Sequence, residues 1–324
     1  MSKAIRLQQT GGPEVLRYED FEPGAPSAGE VQIRHIAIGL NYIDVYDRTG
    51  LYAMPLPGGL GREAAGVVVA LGPKAKGFHK GDRVAYVHSQ TGAYCELRNV
   101  PSAVLVKLPR AISDEVAAAI MLKGLTAHYL LRRTYRVQRG DWIVVHAAAG
   151  GVGLLLCQWA RALGAKVIGI VGNAEKAKLA KKNGAHHTLL LGADAIAKRV
   201  KEITNGAGAA VVYDSIGRDT FMESLDCLRP LGMMVSYGNA SGPPPLISPL
   251  ELTKRGSLFL TRPSLYAYIA KRDALDAAAR ELFAAVSNKK IKVRIGQSYK
   301  LADAAQAHRD LEARKTTGST VLQP

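Results

Sequence analysis

The stretch WIVVHAAAGGVGLLLCQWARALGAKVIGIVG, residues 142–172, decides the fold of this chain. An apolar run, a glycine-rich turn, a helix-forming segment and a second apolar run follow one another in it. Continuous apolar runs that alternate with helical segments are typical of parallel strands buried on both faces of a sheet. The stretch therefore predicts a strand–helix–strand unit of an α/β fold.

The same alternation continues toward the C-terminus. Six apolar runs occupy residues 142–148, 166–172, 187–192, 209–217, 233–239 and 257–263. Amphipathic helical segments separate the earlier runs, and a proline-rich loop at 241–249 separates the last two. Six such runs predict a doubly wound parallel sheet of the Rossmann type, which binds dinucleotides.

The first ~120 residues have a different pattern, which predicts a β-rich domain. Residues 30–38 alternate apolar and polar side chains as a half-buried strand does, and 64–72 and 82–87 are further strand candidates. A helix is expected over 114–133, with Ser113 as its N-cap. The helix at 272–288 and the strand and helix after it suggest a return to this first domain. We therefore expect one discontinuous domain at 1–124 and 265–324 and a second at 125–264.

Length and composition agree with a globular protein of two domains. The chain has 324 residues, of which 48% are hydrophobic and 22% charged. No apolar run approaches the ~20 residues that cross a bilayer, and the N-terminus predicts no secretory signal. The three cysteines, Cys95, Cys157 and Cys227, are too few and too scattered for a disulfide framework or a cysteine-rich zinc site. We expect a cytoplasmic protein with no membrane partner.

The net charge of +16 is the one unusual bulk property. A basic surface attracts anionic cofactors and polyanions at low salt. The basic residues are scattered along the chain, and no nucleic-acid recognition motif accompanies them. An ordinary solvated surface is the favoured interpretation, and nucleic-acid binding stays an open alternative.

The glycine-rich turn predicts a cofactor site. Gly150, Gly151 and Gly153, with Val152 between them, follow an apolar strand and open a helix. Glycines allow close approach of a ligand to the backbone, and the amides of a helix N-terminus can hold a pyrophosphate. The turn is not a strict copy of the GxGxxG pattern, so a plain connecting turn is the alternative. The agreement of strand, turn, helix and second strand favours the cofactor site.

The end of the second apolar run predicts which dinucleotide is bound. NAD enzymes usually carry an acidic residue there, which bonds the ribose 2′-hydroxyl. This chain has Gly172 and Asn173 at that place, and Lys176 follows one turn later. A lysine can bind the 2′-phosphate that an acid would repel. The pattern favours NADP(H), although the nearby Lys181 and Lys182 are better explained as exposed helix lysines.

Two longer segments indicate a family. GREAAGVVVALGPKAKGFHKGDRVAY, residues 61–86, resembles the signature of the medium-chain dehydrogenase/reductases. GDWIVVHAAAGGVGLLLCQWAR, residues 140–161, resembles the narrower signature of the quinone oxidoreductase and zeta-crystallin branch. The resemblance implies a GroES-like catalytic domain beside the Rossmann domain. It also implies a homodimer joined through edge strands, for which residues 257–263 are the candidate.

The chain departs from parts of that family's pattern. Zinc-dependent relatives have a cysteine ligand near position 41 and a histidine ligand at position 62, where this chain has Asn41 and Arg62. Amide and guanidinium groups do not replace thiolate and imidazole ligands, so we expect no metal. Relatives often place a tyrosine beside the 2′-phosphate, and Leu191 stands at that position here.

The resemblance and the expected absence of a metal together suggest reduction of a quinone by NADPH. A quinone delocalises the negative charge left by hydride addition, so the protein mainly has to hold cofactor and acceptor together. The catalytic candidates are Asn41, Tyr46 and Tyr52. Family positions near the cofactor correspond to Lys123, Thr126, Ser215, Asn239 and Arg262. Two alternatives remain: reduction of an enone or alkenal by NADPH, and an NADPH-binding protein with a nucleic-acid-binding or structural role.

Overall fold

The computed structural model describes all residues of the chain, 1–324, and divides it into two compact units. The first unit consists of Met1–Leu125, Tyr268–Asn288 and Val293–Pro324. The second unit consists of Thr126–Ala267 and Lys289–Lys292. No helix in either unit combines the length and hydrophobicity needed to cross a membrane.

The chain forms sixteen strands and ten α-helices. The strands are β1 Ser2–Leu7, β2 Arg17–Phe21, β3 Glu30–Leu40, β4 Gly58–Gly59, β5 Glu63–Leu71, β6 Arg83–Val87, β7 Leu97–Pro101, β8 Leu105–Lys107, β9 Trp142–Val145, β10 Lys166–Val171, β11 His187–Leu190, β12 Ala209–Asp214, β13 Leu228–Ser236, β14 Phe259–Thr261, β15 Ile295–Lys300 and β16 Ser319–Gln323. The helices are α1 Tyr42–Thr49, α2 Asp114–Tyr129, α3 Gly151–Ala162, α4 Ala174–Lys182, α5 Ile196–Ile203, α6 Phe221–Asp226, α7 Leu250–Lys254, α8 Leu265–Tyr268, α9 Arg272–Ser287 and α10 Ala304–Glu312.

The second unit is built on a six-stranded sheet in the order β11-β10-β9-β12-β13-β14. All five strand pairs are parallel. Every residue of β12 is buried, as expected for an apolar strand with helices on both faces. Each of the six predicted apolar runs overlaps a strand, although β13 begins five residues before the run at 233–239. The predicted α/β fold with a doubly wound parallel sheet is confirmed.

The first unit is the β-rich one. Its larger sheet has seven strands, in the order β15-β16-β3-β5-β6-β8 with β7 also pairing with β3, and a smaller sheet has the order β2-β1-β4. The predicted alternation in β3 appears as alternating buried and partly exposed side chains along its first half. The C-terminal strand β16 pairs antiparallel with the end of β3, where Thr320 lies opposite Leu40.

The helix expected over 114–133 begins where it was predicted. The Ser113 hydroxyl accepts a hydrogen bond from the Val116 amide at 3.3 Å, which is an N-cap. The α-helical part ends at Tyr129, and a single π-helical turn continues over Leu130–Thr134. Amino-acid composition does not distinguish an α-helix from a π-helical turn, so the helix predicted over 114–133 covers most of both.

Candidate active site

The predicted cofactor residues of the second unit lie along one edge of its sheet. The glycine-rich turn follows β9, Gly172 follows β10, Ser215 follows β12, Asn239 lies after β13 and Arg262 directly follows β14. Because these strands are parallel neighbours, their carboxyl ends meet at the same edge. Ligands of doubly wound sheets bind at that edge.

The glycine-rich turn is packed too tightly for larger side chains. Gly150 precedes α3 as its N-cap residue in an extended conformation, and Gly151 and Val152 form the first helical positions. A Cβ on Gly153 would lie 2.2 Å from the Ala147 carbonyl oxygen, so only glycine allows the helix to approach the turn this closely. The amides at the start of this twelve-residue helix are therefore placed as in a pyrophosphate site.

The end of β10 is open and carries a positive charge. Gly172 is exposed, and a Cβ built on it meets no atom within 4 Å. The Asn173 side chain caps α4 by accepting from the Lys176 amide at 2.9 Å, which fixes the first turn of the helix beside this space. Leu191 is next to the same strand end, since its amide donates to the Val171 carbonyl at 2.9 Å. A 2′-phosphate has room here and faces no carboxylate from Gly172 or Asn173.

The loops after β12 and β13 are joined to each other. The Ala240 amide donates to the Ser215 carbonyl at 3.2 Å. Arg262 donates to the carbonyls of Ser236, at 2.9 Å, and Gly238, at 3.1 Å. The structure thus brings Ser215, Asn239 and Arg262 together, with the arginine holding the loop that carries Asn239.

A buried carboxylate that the sequence analysis did not single out anchors the loop after β12. Asp214 has no exposed surface and accepts hydrogen bonds from the amides of Ile216 and Gly217 and from the hydroxyls of Thr220 and Ser224. These bonds hold the loop that begins at Ser215. The only signal in the sequence is an acid at the end of a fully apolar strand.

The residues of the second unit fit a nicotinamide dinucleotide. At the glycine-rich turn, the absence of side chains would allow a pyrophosphate to approach the protein backbone closely. The end of β10 is open where an adenosine ribose would lie. Thr126, also predicted near the cofactor, is buried on α2. The fit therefore rests on the turn, the strand ends and Lys176.

In the first unit, Asn41 and Lys123 meet at a buried glutamate. The Asn41 side-chain amide donates to Glu63 Oε1 at 2.7 Å, and Lys123 Nζ lies 3.3 Å from the same oxygen. Lys123 Nζ also donates to the Leu40 carbonyl at 3.0 Å. Asn41, Glu63 and Lys123 are all buried, with Glu63 at 0% exposure. The structure thus joins two predicted site residues through a third that the sequence analysis had not named.

The predicted tyrosines form an aromatic group. The rings of Tyr46 and Tyr52 lie 5.3 Å apart in an edge-on arrangement, and Tyr42 lies 5.5 Å from Tyr46 on the other side. These distances are typical of favourable aromatic pairs. Tyr42 was missed, although its position one helical turn before Tyr46 is a signal that the sequence contains.

A second buried network surrounds Asp44 on α1. Asp44 Oδ2 accepts from the Asn41 amide at 2.8 Å and from the Tyr94 hydroxyl at 2.9 Å, while Oδ1 is buried without a hydrogen-bond partner. Burial raises the pKa of this carboxyl from 3.8 to about 7. Tyr94 also contacts His308 Nε2 at 3.2 Å, and Arg48 donates to His308 Nδ1 at 3.0 Å. The network fixes the start of α1, which carries Tyr46 and has Asn41 as its N-cap residue.

The two positions of zinc ligands in metal-dependent relatives are both engaged in protein contacts. Asn41 bonds Glu63, and Arg62 forms two hydrogen bonds of 2.7 Å to the carboxylate of Asp47. Arg62 also donates to the Ser89 carbonyl. The chain contains no group of three or more histidine, cysteine, aspartate or glutamate side chains arranged to hold a metal ion.

The raised pKa of Asp44 predicts a pH-dependent difference between the wild type and Asp44→Asn. The native state holds the Asp44 proton up to about pH 7, whereas the unfolded chain loses it near its ordinary value of ~3.9. This stabilisation is complete below pH ~3.9 and is lost as the pH rises through 7. Between pH 5 and 8 we expect the variant to gain about 2–3 kcal/mol in free energy of unfolding relative to the wild type.

Urea unfolding of both proteins at the two pH values measures this change. Burial lowers the pKa of His308 to about 3, and the pH dependence from that group cancels in the difference. The half-exposed Asp219 offers a matched control, since Asp219→Asn should show no comparable change between the two pH values. An Asp44→Asn difference that is equal at pH 5 and pH 8 would contradict the prediction.

Comparisons with known proteins agree with this geometry. Residues 27–110 match the family described as alcohol dehydrogenase GroES-like domain, and residues 151–280 match the family described as zinc-binding dehydrogenase. The chain is 51% identical to the quinone oxidoreductase of Pseudomonas aeruginosa, with 100% of both chains covered. It is 44% identical to a 2-haloacrylate reductase from a Burkholderia species, covering 100% of this chain and 99% of that protein.

A solved structure extends the similarity to the fold. The crystal structure of Escherichia coli quinone oxidoreductase complexed with NADPH has a TM-score of 0.98 and 49% identity to this chain. The match covers 99% of this chain and 100% of the other. On this full-length similarity, together with the parallel sheet and the glycine-rich turn, the chain belongs to the quinone oxidoreductase branch of the medium-chain dehydrogenase/reductase superfamily.

Proposed function

We propose that this protein is an NADPH-dependent quinone oxidoreductase. The observation that carries the cofactor assignment is the open, acid-free end of β10 with Lys176 beside it, next to the narrow turn at Gly153. The full-length identity to a quinone oxidoreductase supports the acceptor class.

The cofactor would be held mainly by backbone groups and one lysine. The amides at the start of α3 bind the pyrophosphate, and Lys176 binds the 2′-phosphate through its ammonium group. Ser215 and Asn239 lie on the joined loops that follow β12 and β13, and Arg262 keeps that pair of loops in place. Bound NADPH supplies the two electrons of the reaction as a hydride.

The first unit supplies the groups for the acceptor. Glu63 fixes both Asn41 and Lys123, and the remaining N–H of Lys123 can donate a hydrogen bond to an acceptor oxygen. Tyr46 and Tyr52 provide an aromatic surface. A quinone ring delocalises the negative charge that hydride addition creates. Positioning and hydrogen bonding are therefore sufficient for the reaction, and the amide and guanidinium at positions 41 and 62 are consistent with a mechanism that uses no metal.

Oxidation of NADPH in the presence of ortho- and para-quinones is the direct test. We expect quinone-dependent oxidation that prefers NADPH to NADH and is insensitive to a chelator. NADPH binding without reduction of any acceptor would overturn the catalytic proposal. An NADPH-binding protein without enzymatic activity would then be the favoured interpretation. Titration with RNA over a range of salt concentrations would test whether the +16 charge serves nucleic-acid binding.

Reduction of an activated alkene is the second candidate. It is favoured by the 44% identity to a protein named 2-haloacrylate reductase. The chemistry requires the same hydride donor and an acceptor whose double bond is conjugated to a carbonyl group. Enones and 2-haloacrylate therefore belong in the same acceptor panel, and a higher kcat/KM for them than for quinones would support this candidate.

We also propose that the protein forms a homodimer through β14. This strand is at the edge of the six-stranded sheet, and Phe259 and Leu260 on it are 56% and 39% exposed. An exposed apolar edge strand is a template for pairing with a second strand. Light scattering should give twice the chain mass of 34.6 kDa, and Phe259→Arg should shift the protein toward the monomer. A wild-type protein that is monomeric at micromolar concentration would contradict the proposal.

A cytoplasmic location is the remaining part of the proposal. The three cysteines are free and buried, and burial raises the pKa of each thiol to about 12. Buried thiols of raised pKa react poorly, and reduced cysteines are usual in cytosolic proteins. Fractionation of cells that express the protein would test the assignment.

A further inference from the structure

We propose that Glu63 is a positioning residue for the reaction, which fixes Asn41 and orients Lys123 toward the acceptor. The inference rests on the proposed function, because it assigns a role in the reduction of the acceptor. Asn41, Glu63 and Lys123 all lie in the first unit.

The Glu63 carboxylate is the common partner of the cluster. It has no exposed surface and receives three hydrogen bonds. Oε1 accepts from Asn41 Nδ2 at 2.7 Å and from Lys123 Nζ at 3.3 Å, and Oε2 accepts from the Leu122 amide at 2.5 Å. A buried carboxylate is tolerated only when it is paired and hydrogen-bonded in this way.

The carboxylate determines which way its two partners face. An ionised carboxylate only accepts hydrogen bonds, so it draws the NH2 group of Asn41 toward itself. The carboxamide oxygen of Asn41 then points away from Glu63, toward the backbone amide of Asp44 in the capping box at the start of α1. Lys123 has three donor hydrogens, of which Glu63 and the Leu40 carbonyl engage two, leaving one for an acceptor oxygen.

The neighbouring strand makes room for this arrangement. Gly39 on β3 lies directly opposite Glu63 on β5. A Cβ on Gly39 would lie 2.2 Å from Glu63 Oε1 and 2.3 Å from the Ala118 carbonyl oxygen. The carboxylate therefore occupies the space that a side chain at position 39 would fill, so the glycine is required for this arrangement.

The variant Glu63→Gln tests the role with nearly unchanged shape. In either orientation its side-chain NH2 group would face a donor, the pair Asn41 Nδ2 and Lys123 Nζ in one and the Leu122 amide in the other. The variant therefore loses at least one of the three hydrogen bonds, and with the negative charge it loses the attraction that holds the Lys123 ammonium. A displacement of about 1 Å at a reacting group can cost ~100-fold in rate. We expect kcat with a quinone to fall about 10- to 100-fold. The dissociation constant of NADPH, followed by its fluorescence, should change much less than kcat, since Lys123 is the one candidate NADPH contact in the first unit and the others lie in the second.

The matched control removes a different acid–base pair of the first unit. Asp82 and Lys107 are 2.8 Å apart, and both are partly exposed. Asp82→Asn should leave kcat and NADPH binding at wild-type values. A fall in kcat that is equal in both variants would mean that any lost ion pair in this unit affects the rate, and would overturn the proposal.

A double variant separates positioning from folding. Glu63→Gln leaves the Lys123 ammonium buried without its counter-charge, which should lower the melting temperature. Adding Lys123→Met removes that charge, so the melting temperature should recover while kcat stays low. The low kcat is expected because Lys123 is itself the donor that Glu63 orients. If kcat recovers along with the melting temperature, neither Lys123 nor its orientation by Glu63 contributes to the rate, and the inference fails.

The outcomes also distinguish this inference from the proposed function. If the wild type reduces quinones and Glu63→Gln keeps its kcat, the inference alone is wrong. If the wild type reduces no acceptor although it binds NADPH, the proposed function is wrong and the inference falls with it.

Discussion

The variant Gly172→Asp should bind NADPH about 30- to 100-fold more weakly than the wild type, while NADH binding should be unchanged or improved. Gly172 follows β10 at the edge of the sheet, and a Cβ there meets no atom within 4 Å. An aspartate side chain therefore fits without disturbing the fold. Its carboxylate would lie where the 2′-phosphate is expected, beside Lys176.

The size of the effect follows from the charges. Two unit charges 4 Å apart interact by ~1 kcal/mol in bulk water and by more near a protein surface, and a phosphate carries up to two charges. A repulsion of about 2–3 kcal/mol corresponds to the stated range of affinities. NADH carries a 2′-hydroxyl at the same place, which can donate to the new carboxylate.

Gly172→Ala is the control, because it adds volume at the same position without charge. Both cofactors should bind this variant as they bind the wild type. Fluorescence titrations of the three proteins with NADPH and NADH measure the ratios. If the alanine variant loses as much NADPH affinity as the aspartate variant, space and not charge limits the site, and Lys176 is not the phosphate ligand.

The sheet of the second unit could be predicted because the sequence pattern of each strand and helix lies within a few consecutive residues. The inner strands β9, β10 and β12 are short and mostly apolar, and β9, α3 and β10 are contiguous in sequence. Burial of these inner strands makes their composition easy to recognise. The predicted runs extend past the strands, since residues such as Ser215 and Asn239 continue into the loops at the carboxyl edge, where apolar and small residues also occur.

Several elements of the first unit were not anticipated for a physical reason. Strands β1 and β2 pair through a register that joins Ser2 to Phe21, and their side chains show no regular alternation. Helix α1 has only eight residues, too few to display a clear 3.6-residue period. Such elements depend on contacts with the rest of the sheet more than on their own composition.

The Glu63 cluster shows what sequence reasoning could not reach. Asn41, Glu63 and Lys123 are separated by 22 and 60 residues, and only the pairing of Gly39 with Glu63 across β3 and β5 brings the first two together. The family resemblance indicated Asn41 and Lys123 as separate candidates and predicted no contact between them. Their shared partner becomes apparent only when the register of the two strands is known.

The variant Gly153→Ala should bind NADPH more than tenfold more weakly than the wild type and should unfold more easily. The added Cβ would lie 2.2 Å from the Ala147 carbonyl oxygen and 2.8 Å from the Ala148 Cα. Both are backbone atoms, so no flexible side chain can move aside, and Ala147 already has a positive φ of 48°. Helix α3 must then shift away from the turn, which moves the amides proposed to bind the pyrophosphate.

The expected loss of stability is about 1–3 kcal/mol, as for other cases of overpacking against a rigid backbone. Urea unfolding and NADPH titration of Gly153→Ala and Gly172→Ala form a matched comparison, since both replace a glycine by alanine at the same edge of the sheet. The first variant should lose affinity and stability together, whereas the second, with open space at its Cβ, should keep both. Wild-type NADPH affinity in Gly153→Ala would show that the close approach of α3 to the turn is a packing requirement of the sheet and has no part in holding the pyrophosphate.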